Sequence, residues 1–96
     1  MKKTFALSHP KLKLPRLVDS IKSDVKKYIK RERNKDLPGD ADYWDFDCQY
    51  GATEADASEI HMTEIGKCID RAVEMELESF YLEIMAHPAT RGGQGE

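Results

Sequence analysis

The segment "YWDFDCQYG", residues 43–51, constrains the fold more than any other part of this chain. Trp44, Phe46, Cys48 and Tyr50 alternate with Tyr43, Asp45, Asp47 and Gln49. Successive side chains of an extended chain point to opposite faces, so one face of this strand is apolar and the other polar. A strand of that kind belongs in a sheet covered on one side only, as antiparallel sheets commonly are.

Three more segments share the alternation. "KKTFAL" (2–7) sets Lys3, Phe5 and Leu7 against Lys2, Thr4 and Ala6, and "ESFYLEIMA" (78–86) sets Phe80, Leu82 and Ile84 against Tyr81, Glu83 and Met85, with Pro88 as its stop. Ile60 and Met62 alternate with Glu59, His61 and Thr63, which suits a short strand over 57–62. Two helices lie between the strands. From Pro15 to about Lys35, the residues Leu14, Leu17, Val18, Ile21, Val25, Tyr28 and Ile29 recur every three or four positions, one apolar stripe on a helix. Pro15 suits a first helical turn, and "LPGDAD" (37–42) reads as a loop. Ile65, Cys68, Ile69, Ala72, Val73 and Leu77 make the second stripe.

The start of that second helix has two readings. "TEAD" (53–56) fits a capping box and would begin a long helix there, leaving a three-stranded sheet. A strand at 57–62 instead gives the order β-α-β-β-α-β. That is the ferredoxin-like α+β arrangement, a four-stranded antiparallel sheet with two helices on one face. The second reading is preferred, because one-sided cover asks for four alternating strands and two amphipathic helices. In that arrangement the first and third strands lie in the middle.

Ninety-six residues make one α+β domain, expected over 1–88, with "ATRGGQGE" (89–96) as a disordered tail that has nothing to bury. No apolar run approaches the roughly 18 residues of a membrane span. The "FAL" near the N-terminus is far shorter than the apolar region of a signal peptide. Cys48 and Cys68 have neither zinc nor redox spacing. The expectation is a cytoplasmic protein with two free thiols that behave as small hydrophobes, and with no cofactor.

The layout "MKKTF", then "KKYIKRERNKDLPGDADYWDFDC", then "SFYLEIMA" resembles a family of small bacterial proteins classed as a domain of unknown function. The resemblance covers nearly the whole chain short of the tail. It implies a bacterial, cytoplasmic protein and brings no catalytic or binding residues with it.

Charge is strongly polarised along the chain. Residues 1–35 hold twelve Lys and Arg against three Asp and Glu, a net of +9, while residues 36–96 hold three against fifteen, a net of −12. One reading is internal complementarity, a basic helix lying on an acidic body. The other is a contact surface. Placing a residue every 100° puts Glu32 at the centre of the apolar stripe, so the first helix is expected to outrun the core and project its last turn into solvent. The candidate contact residues are Lys22, Lys26, Lys27, Lys30, Arg31 and Arg33. Such a face would bind RNA, DNA or an acidic protein surface in a salt-sensitive, sequence-blind way. No aromatic interleaves the exposed positions, so stacking on single strands is not expected.

The open face of the sheet supplies the alternative. An RNA-recognition sheet stacks bases on aromatics of its central strands, and Thr4, Ala6, Glu59 and His61 offer no ring but the imidazole. Asp45, Asp47 and His61 would instead form a small metal or acid–base group. Alternate acids on an exposed strand equally keep a sheet face soluble. No nucleophile elbow, H-E-x-x-H, P-loop or G-x-G-x-x-G occurs. The reading is therefore a non-catalytic binding module, monomeric or homodimeric, working through the basic helix. The alternative is a small metal-binding protein or enzyme built on Asp45, Asp47 and His61.

Overall fold

The computed structural model of the chain describes residues 1–91. Strand β1 (Lys2–Ala6) leads to helix α1 (Leu14–Arg33), then β2 (Tyr43–Gly51) and β3 (Ser58–Ile60). A 3-10 turn (Met62–Glu64) runs into helix α2 (Ile65–Glu74), and β4 (Ser79–Ala89) follows. The α+β class, the four antiparallel strands and the two helices are as expected.

The strand order is β1-β4-β2-β3, only loosely ferredoxin-like. The outer pairings, β1 with β4 and β2 with β3, are those of the expected order. The central one differs: β2 pairs with β4, so these two strands hold the middle in place of β1 and β3. Length is the physical reason. β2 and β4 have nine and eleven residues, β1 and β3 only five and three. A central strand must satisfy backbone groups on both edges, and the long strands have the most to pair.

Val18, Ile21 and Val25 of α1 and Ile65, Ile69 and Ala72 of α2 join Phe5, Phe46, Cys48, Phe80, Leu82 and Ile84 in one buried cluster. The strand members all have the inward parity, so both helices cover the same face. Each large apolar side chain buried this way stabilises the fold by roughly 1.5–3 kcal/mol before entropy is counted.

The short third strand is present at Ser58–Ile60, and "TEAD" starts no helix. Thr53 and Asp56 close a local turn, with the Asp56 backbone N–H donating to Thr53 Oγ1 at 3.3 Å. The true capping box lies further on, at His61 and Glu64. The Thr63 N–H donates to His61 Nδ1 at 3.2 Å, and the His61 N–H donates to Glu64 Oε1 at 2.8 Å.

β4 passes Pro88, its expected stop, and ends at Ala89. β1 reaches only as far as Glu83 in the pairing, and the Ile84 N–H donates outward to the Met1 carbonyl. Pro88 shares the parity of Ile84. Its missing N–H therefore faces the open edge, where proline is tolerated. The Asp42 N–H donates to Ala89 O at 2.8 Å and the Arg91 N–H to Asp42 Oδ2 at 3.0 Å. Ordered structure thus runs past the expected boundary at 88. The rest of the expected tail, 92–96, lies outside the described residues.

The last turn of α1 exposes Lys30, Arg31 and Arg33 but is covered on its Glu32 side, where the expectation had the helix already clear of the core. The Glu32 side chain is only 14% exposed and pairs with Lys35 at 2.8 Å. The Trp44 indole N–H donates to Lys35 O at 2.9 Å, and the Arg33 guanidinium lies 5.6 Å from the Phe46 ring centre. The start of β2 folds back beneath the helix end and takes it up.

Candidate functional site

α1 seats Val18, Ile21 and Val25 on the sheet and turns its remaining circumference outward. Lys26, Lys27, Lys30, Arg31 and Arg33 are exposed, and Lys22 is half-buried. Internal neutralisation is slight. Lys22 Nζ meets Asp70 Oδ1 of α2 at 2.8 Å, and the only other Lys or Arg ion pair among the described residues is Lys35–Glu32. Arg31 instead lies over the Tyr28 ring at 5.5 Å. Lys30, Arg31 and Arg33 also sit in the last turn, where cations complement the helix dipole.

The six candidate cations fall on two sides of the helix. Lys22, Lys26, Lys30 and Arg33 line a groove between α1 and the 3-10 turn with α2. Lys27 and Arg31 lie on the far side by helical spacing. The deeper part of the groove, about 280 Å³, has Val25, Ile29, Met62, Ile65 and Ile69 along its floor. It continues past Lys30 and Asn34 to Arg33, whose guanidinium reaches Met62 Sδ at 3.7 Å. α1 has twenty residues and α2 only ten, so the longer helix leaves this flank uncovered. Gly66 lines the opposite wall, and a Cβ added there would meet no atom within 4 Å.

The open face of the sheet differs from the expected one because its central strands differ. In register lie Asp45 with His87, Asp47 with Met85, Gln49 with Glu83, and Gly51 with Tyr81. His87, not His61, is the imidazole that meets the two aspartates. Its Nε2 stands 3.3 Å from Asp47 Oδ2 and 3.8 Å from Asp45 Oδ2, covered from solvent and without a hydrogen bond. Asp45 and Asp47 do share a surface depression with His61. The His61 ring, however, is turned to Thr63, 2.8 Å from Oγ1. Among the described residues no three His, Cys, Asp or Glu side chains converge as a metal ion would need.

Tyr43 and Tyr81 are the open-face tyrosines of the two central strands: Tyr43 is half-buried with the Arg91 guanidinium 5.2 Å from its ring centre, and Tyr81 is only 4% exposed. The Tyr81 hydroxyl donates to Glu83 Oε1 at 2.8 Å. Burial, then the Glu83 hydrogen bond and the charges of Glu83 and Glu54, push its phenol up to about 12. A covered Tyr81 ring bonded to Glu83, and a Tyr43 ring already facing Arg91, make a poor platform for a nucleobase to stack on. Cys48 and Cys68 are free thiols, Cys48 buried and Cys68 half-buried. Burial, then Asp47 and Asp45, push the Cys48 thiol up to about 11, the opposite of what a reactive thiol requires.

Among the described residues no helix is long and apolar enough to cross a membrane. The chain belongs to a family of unknown function (DUF6172), whose model matches residues 1–95. No curated protein and no solved structure matches it.

Proposed function

We propose that this member of the family is a non-catalytic binding module of the bacterial cytoplasm, contacting an anionic macromolecule through the cationic face of α1. The observation that carries the reading is the lack of internal neutralisation. Lys26, Lys27, Lys30, Arg31 and Arg33 are exposed on one helix, and none is in an ion pair among the described residues. Of the acidic half of the sequence, Asp45, Asp47 and Glu83 lie on the opposite face of the sheet, and Asp70 meets α1 at Lys22. Opposite faces of opposite sign orient the molecule toward an anionic partner and repel it from the wrong side.

The test compares the native chain with a variant carrying Glu at those five positions. RNA, duplex DNA and polyglutamate are titrated at two salt concentrations. The native chain binds at least one of them, more weakly at the higher salt, and the variant does not. The variant loses the ring contacts of Arg31 and Arg33, each worth about 0.5–1 kcal/mol at exposed sites, and the favourable last-turn cations, so circular dichroism establishes that it is folded before the titrations are compared. Coincident curves for the two proteins with every ligand would sink the reading.

A further inference from the structure

We infer, on the reading that α1 is a contact surface, that the groove between α1 and α2 seats an acidic amphipathic helix of a partner protein. Two features occur together there and call for one occupant. Ile29 and Met62, both half-buried, leave apolar surface along the floor above Ile65 and Ile69. Lys26, Lys30 and Arg33 stand along one rim at spacing i, i+4, i+7, and all three are exposed and outside any ion pair among the described residues. A nucleic-acid backbone would use the cations and leave the floor wet. An occupant that uses both carries apolar side chains on one stripe and carboxylates along its edge.

The spacing says more. Seven residues of α1 rise roughly 10 Å, two turns of helix. A second helix laid along the groove places Asp or Glu at i, i+4 and i+7 beside Lys26, Lys30 and Arg33, with Leu or Ile between them over Ile29 and Met62. Lys22 takes no part, being held by Asp70 at the other end. Gly66 gives the occupant room: any side chain there would enter open space on the groove wall.

The experiment uses a synthetic amphipathic peptide of about four turns, with a Leu/Ile stripe edged by Glu at i, i+4 and i+7, and a twin carrying Gln at those positions. Both are titrated into the native chain, into Gly66→Trp and into Lys26→Glu/Lys30→Glu, with folding followed by circular dichroism. The Glu peptide is expected to bind in the micromolar range and the Gln peptide about tenfold more weakly. Gly66→Trp, which fills the groove and removes no charge, raises the Kd about tenfold, as does the double charge reversal. Equal binding to the native chain and Gly66→Trp overturns the groove and leaves the cationic surface standing. Binding of RNA or DNA with no binding of the peptide does the same. No binding of any anionic ligand overturns both.

Discussion

The indole N–H of Trp44 donates to the backbone carbonyl of Lys35 at 2.9 Å, so the first residues of β2 hold the end of α1. Carbonyls of a helix's last turn have no partner within the helix, and this bond satisfies one just beyond it. Replacing Trp44 by Phe keeps a ring against the core and removes the donor. The expected loss is about 1 kcal/mol, from a lower urea midpoint at unchanged slope. Amide exchange should quicken at the end of α1 and not at its start.

Two glycines should answer an added methyl in opposite directions. A Cβ on Gly51 would stand 2.7 Å from the backbone N and Cα of Ala57, because the loop after β2 crosses directly over it. Gly51→Ala must push backbone and should cost about 1–3 kcal/mol. A Cβ on Gly66 meets nothing within 4 Å and lies in α2, so Gly66→Ala should stabilise by about 0.5–1 kcal/mol. Chemical denaturation of both variants beside the native chain tests the pair: a stabilised Gly51→Ala would contradict the packing described at Gly51, and a destabilised Gly66→Ala the open space at Gly66.

These contrasts mark what the sequence could and could not disclose. Period-two alternation identifies all four strands, since each strand's own side chains write that pattern, but it carries the third too far: β3 ends at Ile60, and Met62 belongs to the 3-10 turn. Which strands hold the centre was not written there. Trp44, Phe46 and Cys48 face the same core whether β2 neighbours β4 or stands at an edge. Pro88 reads as a strand end because a proline inside a sheet normally is one. Only the edge that β1 leaves open beyond Glu83 lets β4 continue to Ala89.

That continuation decided the aspartate cluster. His87 comes into register with Asp45 only if β4 runs past residue 86, so a strand ended there loses the histidine and leaves His61 as the nearest substitute. The role of His61 as a helix cap was equally hidden, because the capping pattern is sought with Ser or Thr. The basic residues were all legible. Their division between a groove side and a far side was not, because it depends on where the short helix α2 lies.

Helix α2 ends on an unfavourable residue, and that can be corrected. Glu76 has φ of 56°, a left-handed conformation. The Leu77 N–H reaches Ala72 O at 3.1 Å and the Glu76 N–H reaches Val73 O at 3.0 Å, which makes a Schellman ending with Glu76 in the place usually held by glycine. Glu76→Gly relieves the crowding at Cβ and should raise stability by about 1 kcal/mol, less any gain in unfolded-chain entropy. Thermal melts of Glu76→Gly and Glu76→Ala separate the causes. Alanine removes the same charge and keeps the strain, so only glycine should raise the midpoint.

Alkaline pH should unfold the protein through Cys48 and Tyr81. The Cys48 thiol ionises near 9.0 in an unfolded chain but is held up to about 11 in the fold, by burial first and then by Asp47 and Asp45. Below pH 9 both states keep the proton, and the contribution to stability is fully present. Between pH 9 and 11 the unfolded chain releases its proton and the native one does not, so stability falls as pH rises. Tyr81 acts in the same direction one unit higher, from 10.0 toward about 12, by burial and then by Glu83. The melting temperature should therefore be level up to pH 9 and decline beyond it. Tyr81→Phe removes one titrating group and should flatten the decline above pH 10, whatever its effect at neutral pH. The same burial makes alkylation at pH 8 selective. Iodoacetamide should label half-buried Cys68 first, and Cys48 only as the chain unfolds. Rapid labelling of Cys48 in the native protein would contradict its place in the core.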